Sequence, residues 1–230
     1  MRKLILAGLA ASLITACVPE EKDGNTVIKQ GGDSMTTELV EAANQQDTKR
    51  VKELIEQNTE LNTQDSEGRT ALMIATYNND APTVKALLDA GADVDIQDNM
   101  QNNCFLYAGA EGYIDIMRFA NEAGADVTLT NRYGGVAVIP AAERGHVEMV
   151  EALLNETKVD VNHVNDLGWT ALMEAVVLSD GGVQHQEIIK ILLKHGADQS
   201  ITDKDGITPL QHAKDKGYLE IVDILEAASL

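Results

Sequence analysis

From Thr36 onward, apolar residues recur at helical spacing in short runs separated by Gly, Asp and Asn. Leu72 and Ala75 fall on one helical face, and Val84, Leu87 and Leu88 fall on one face of the next predicted helix. Gly91 follows that second run, where a helix end calls for a left-handed residue. The same pair of runs returns about every 33 residues along the chain. Each period predicts two helices and a turn. One such unit cannot bury both of its apolar faces alone, so neighbouring units must stack into a continuous core.

Three columns repeat in register. The first reads Thr70-Ala71-Leu72-Met73-Ile74-Ala75, Asn103-Cys104-Phe105-Leu106-Tyr107-Ala108, Val136-Ala137-Val138-Ile139-Pro140-Ala141, Thr170-Ala171-Leu172-Met173-Glu174-Ala175 and Thr208-Pro209-Leu210-Gln211-His212-Ala213. It resembles the TPLHxA signature of ankyrin repeats. A second column, Gly91-Ala92-Asp93-Val94, Gly124-Ala125-Asp126-Val127 and Gly196-Ala197-Asp198, resembles the GADV that closes an ankyrin helix pair. A third places Asp65, Asp98, Asn131, Asn165 and Asp203 at the connecting tips. The resemblance implies an all-α ankyrin-repeat solenoid of stacked helix-turn-helix units with β-hairpin tips over residues 36–230. Its units are an N-terminal cap at 36–64, repeats at 65–97, 98–130, 131–164 and 165–202, and a C-terminal cap repeat at 203–230.

The departures from the pattern are local. Within 98–130, Cys104 takes the small-residue position and Ala120-Asn121 replace the usual leucine pair. Pro140 would cost about 3 kcal/mol beyond a first helical turn, unless the helix start shifts. About five extra residues around Ser179-Asp180-Gly181-Gly182-Val183 predict a longer loop between the two helices of 165–202.

The N-terminus follows a different pattern. Met1-Arg2-Lys3 precedes an apolar run from Leu4 to Ile14, whose eleven residues rise only about 16 Å as a helix, short of a bilayer of roughly 30 Å. That length suits an export signal. Ile14-Thr15-Ala16-Cys17 resembles the lipobox of bacterial lipoproteins, which implies a signal peptide at 1–16 and lipidation of Cys17. Several acyl chains would make attachment effectively permanent. Val18, rather than Asp, after the cysteine points to the outer membrane, facing the periplasm. Residues 17–35 then comprise the lipidated cysteine and a polar, glycine-bearing linker.

Lys and Arg number 18 against 37 Asp and Glu, a formal charge of −19; cleavage after residue 16 removes two cations and leaves −21. Such a balance excludes phosphate-neutralising contacts as the basis of function, so neither nucleic acid nor a basic membrane-binding face is expected. Membrane attachment would come through the lipid alone. Two cysteines make no disulfide framework, and among His146, His163, His185, His195 and His212 no pair has i, i+4 spacing. No nucleophile elbow, phosphate loop or zincin string occurs, so an enzyme, a metal and a cofactor are not expected.

What remains is a binding surface: a protein partner is expected, met by a monomeric scaffold. The resemblance implies docking on the tips and on the exposed side of the first helices. Carried over column by column, the notable members are Tyr77, Met100, Arg132, Tyr133, Leu167 and Trp169, of the types in which interface hot spots are enriched. The partner's role stays open between a protein scaffolded in the envelope, a periplasmic toxin held by an inhibitor or immunity protein, and an envelope stress enzyme that is stabilised or regulated.

Overall fold

The computed structural model describes residues 34–228; the predicted signal peptide, Cys17 and nearly all of the predicted linker lie outside them. Described residues form twelve helices in six pairs: α1 (Ser34–Asn44) with α2 (Thr48–Glu56), α3 (Ala71–Tyr77) with α4 (Ala81–Asp89), and α5 (Cys104–Glu111) with α6 (Ile114–Glu122). The chain continues through α7 (Val138–Glu143) with α8 (Val147–Glu156), α9 (Ala171–Val177) with α10 (Val183–Lys194), and α11 (Pro209–Lys216) with α12 (Leu219–Ala227). First helices α1, α3, α5, α7, α9 and α11 stack in one row, and the second helices stack in another. One apolar core runs between the rows from Leu39 to Leu225. None of these helices is long and apolar enough to cross a membrane.

The threonine column caps first helices. Thr70, Thr170 and Thr208 each accept a hydrogen bond at 3.2 Å from the backbone N–H three residues on, and Asn103 does the same at 2.8 Å. Such a cap contributes about 1 kcal/mol. Val136 has no side-chain oxygen to offer, and α7 accordingly begins late, at Val138. Pro140 thereby becomes the third helical residue, where a missing N–H leaves no intrahelical bond unmade. Gly91, Gly124 and Gly196 all have φ between +87° and +89°, so glycine is needed there for its backbone.

The tips differ from expectation. No strand forms among the described residues, and each tip is a five-residue turn closed end to end by one backbone bond, such as Asp65 N–H to the Arg69 carbonyl at 2.9 Å, around an inner turn bond such as Gly68 N–H to the Asp65 carbonyl at 3.1 Å. A single closing bond makes no ladder. The insertion also differs: the connection 178–182 is lengthened, but Val183 is the first residue of α10, which has 12 residues against 9 in α4. The Tyr218 hydroxyl donates to the Ser179 carbonyl at 2.8 Å and holds that connection against the last repeat.

Repeat 98–130 fills its core by exchange of volume. Phe105 stands in the Leu72 column and Ala120 in the Leu87 column, and both are fully buried. A large side chain on the first helix thus offsets a small one on the second, as close packing requires. Cys104 is buried beneath the Thr76 hydroxyl, 3.2 Å from its Sγ, and burial pushes its thiol up to about 12. A thiol held protonated and covered is a packing residue rather than a nucleophile.

Candidate functional site

Every tip is organised by one side-chain oxygen. Oδ1 of Asp65 accepts from the backbone N–H groups of Glu67 at 2.8 Å and Arg69 at 2.9 Å. Asp98, Asn131, Asn165 and Asp203 make the same two bonds to the residues two and four ahead. These Asx turns satisfy N–H groups that would otherwise point outward unpaired, and they fix the tip without strands.

Neighbouring tips are then tied together. The Asn99 N–H donates to the Glu67 carbonyl and the Asp166 N–H to the Tyr133 carbonyl, each at 3.0 Å. Gln97 Nε2 spans two repeats, donating to the carbonyls of Gln101 and Thr130 at 2.8 Å. At the junction of two tips, Gly134 has φ +71°, and a Cβ there would lie 2.6 Å from Asp166 Oδ1.

Because the tips are in register, the middle residues of the five tips form a row: Glu67, Met100, Tyr133, Leu167 and Asp205. Its three central members are large, apolar and exposed, at 46%, 54% and 50% of their surface. Arg132 links the first two, with Nη1 3.5 Å from Met100 Sδ and its guanidinium 4.8 Å from the Tyr133 ring centre. Asp166 links the second and third through its bond to Tyr133. Met100, Arg132, Tyr133 and Leu167 therefore make one continuous ridge bounded by an acid at each end.

The other two predicted residues lie elsewhere in this geometry. Tyr77 is half-buried; its hydroxyl donates to Asp98 Oδ2, accepts from Asn102 Nδ2 at 3.0 Å, and its ring meets Tyr107 edge-on at 4.4 Å. Burial and the Asp98 carboxylate push its ionisation well above the ordinary tyrosine range. Tyr77 thus anchors a tip to α3, with its ring lining a cleft beside Met100, Glu67 and Arg69. Trp169 is also half-buried, and its backbone closes the turn with Asn165.

A family model for ankyrin repeats matches in three overlapping copies, at residues 39–131, 121–203 and 141–228. The chain belongs to the ankyrin-repeat family. An ankyrin repeat domain from Acinetobacter baumannii, solved as a crystal structure, is 50% identical, with a TM-score of 0.81 over 84% of this chain and 97% of that one. The putative ankyrin repeat protein YahD of Escherichia coli is 49% identical over 96 residues, or 42% of this chain and 48% of that protein. The human NAD-capped RNA hydrolase is 34% identical over 88 residues, which is 18% of its length. This chain thus spans about half of one curated relative that it matches and far less of the other.

Within the ankyrin stack, the second atom of each tip Asx is free to make a bond of its own. Asp65 Oδ2 pairs with Arg69 at 2.7 Å, and Asp203 Oδ2 meets His212 Nε2 at 2.7 Å. In the fourth full repeat the polarity reverses: Asn165 Nδ2 donates to Glu174 Oε1 at 2.7 Å. Glu174 is buried, with 5% of its surface exposed. Burial, and then repulsion from Glu143, pushes its carboxyl up to about 7. Glu174 is a buried acid on a helix, whereas the buried acids Asp65 and Asp98 belong to tips. Its signal was available, since it and His212 both sit nine residues after a tip Asx.

The histidines serve the stack in a related way. His163 Nε2 meets the Gly134 carbonyl of its own repeat at 2.7 Å, and His185 Nε2 meets the Glu143 carbonyl of the preceding repeat at 3.0 Å. His146 bonds the Ala110 backbone, and burial holds its ionisation below the usual imidazole value. No group of three or more potential metal ligands comes together among the described residues.

Proposed function

We propose that this chain is a non-enzymatic scaffold that docks a protein partner on the ridge of Met100, Arg132, Tyr133 and Leu167. The observation that carries the reading is that three large apolar residues at successive tips are each about half exposed, although the core beneath them is closely packed. Contiguous exposed apolar residues on an otherwise charged surface mark interaction sites. Membership of the ankyrin family supports the reading, because such repeats serve protein–protein interaction. Tyr77 anchors the tip that carries Met100, and the Trp169 backbone closes the tip that carries Leu167.

The Met100→Ala/Tyr133→Ala/Leu167→Ala variant tests this. It is expected to keep the wild-type helicity and melting temperature while losing the protein that co-purifies with the wild-type chain. Undiminished co-purification by a folded variant would remove the ridge as the docking site.

The lipobox-like run before Cys17 supports a second element: a lipid tether to the bacterial envelope, with the repeats facing the periplasm. Cys17→Ser is expected to abolish incorporation of labelled palmitate and to release the chain from the membrane fraction. Continued labelling of that variant would refute the tether.

A further inference from the structure

The chain contains 37 acidic and 18 basic residues, so an arginine is far more often near a carboxylate than not. Four of the five arginines among the described residues follow that expectation. Arg50 pairs with Glu38 and Glu53, Arg69 with Asp65 and Glu67, Arg118 with Glu156, and Arg144 with Glu111. Arg132 is the fifth, and no carboxylate of a described residue lies within ion-pair distance of it. It sits exposed on the crest of the ridge, held instead by the Tyr133 ring and the Met100 sulfur.

Those two contacts orient the guanidinium without using up its hydrogen-bonding capacity. Stacking on an aromatic face occupies the plane of the group, and a thioether is a weak acceptor, so most of its five N–H donors remain free. A planar fork of this kind matches a carboxylate bidentately, and the stack reduces the side-chain freedom lost on binding. On either side, Met100 and Leu167 offer apolar surface to a neighbouring side chain. Glu67 and Asp205 close the row with negative charge, and the −19 background repels acidic segments in general.

We infer that Arg132 is the specificity anchor of the ridge, taking one carboxylate from a partner segment that places it beside a bulky apolar residue and is otherwise neutral or basic. The inference rests on the docking reading above. Binding by such a segment combines an attractive contact at one point with rejection of polyacidic sequences everywhere else, which is how specificity is usually divided.

The test is selection of a phage-displayed library of random dodecapeptides on the full-length chain, followed by affinity measurement with synthetic versions of the winners. The selected peptides are expected to share an Asp or Glu within two positions of a large apolar residue. They should bind Arg132→Ala at least about tenfold more weakly, the scale of a lost charge-assisted hydrogen bond, and bind Arg50→Ala normally. Arg132→Glu should instead favour peptides with Lys or Arg at that place. Peptides that need Met100, Tyr133 and Leu167 but bind Arg132→Ala unchanged would overturn the carboxylate anchor and leave the ridge intact. Peptides indifferent to all four residues, or the absence of any selected peptide, would overturn the ridge itself.

Discussion

Phe105→Ala is expected to destabilise the protein by about 3–5 kcal/mol, the usual cost of removing a buried phenylalanine. Phe105 is 1% exposed and supplies the volume that Ala120 leaves unfilled, so the site has little to collapse onto. The loss falls in the second of four internal repeats. A stack held mainly by nearest-neighbour contacts transmits it to both flanks. Urea unfolding followed by circular dichroism would read the effect as a fall in midpoint. Val183→Ala is the control, since Val183 is 77% exposed and its truncation should be near neutral. A Phe105→Ala midpoint shift no larger than that control would contradict the volume exchange.

A second large effect should appear with pH. Glu174 carries a folded-state value of about 7 against an ordinary 4.5, so between these limits the folded chain holds a proton that the unfolded chain has released. Stability therefore falls as pH rises from about 4.5 to about 7, and is level on either side as far as this group is concerned. At about 1.4 kcal/mol per pH unit, that interval amounts to about 3 kcal/mol. Glu174→Gln keeps an oxygen for Asn165 and cannot ionise. It should be more stable than the wild type above pH 7 by up to that amount and indistinguishable below pH 4.5. Trp169 is the chain's single tryptophan, and its backbone N–H shares Asn165 Oδ1 with that of Leu167, so its fluorescence reports on this turn. Parallel pH profiles for the two proteins would show that Glu174 ionises in the folded chain as it does in the unfolded one.

The register of the stack was legible because each repeat spends the same residues on the same local tasks. A hydroxyl or amide caps a helix, a glycine takes positive φ, and an Asx oxygen closes a tip. Such bonds span two to four residues, and a sequence displays them directly. What a sequence does not display is the atom left over. Asp98 and Asn165 look interchangeable as turn residues, yet one receives Tyr77 from the repeat before it and the other donates to Glu174 from its own helix. Those partners are chosen by packing between elements, which is why Tyr77 reads in sequence as a surface aromatic and in the fold as a tip anchor. The insertion was visible as added length, but its division between connection and helix depended on Tyr218 reaching back from the last repeat. The β-hairpin expectation failed because the Asx oxygen does the work that a ladder would otherwise do.

At the site, the columns located the tips and the residue types picked out Met100, Arg132, Tyr133 and Leu167. Neither revealed that Met100, Arg132 and Tyr133 touch while Asp166 ties the Leu167 tip to Tyr133, or that Arg132 lacks the acid that the chain's other described arginines have. Both facts come from stacking geometry.

In-cell photocrosslinking tests the docking surface most directly. A benzoylphenylalanine placed at Tyr133 or Leu167 should give a discrete higher-mass adduct, while one at Glu148, exposed on the second helix of the Tyr133 repeat, should give none. Equal adducts from Glu148, or adducts from Glu148 alone, would contradict docking on the ridge.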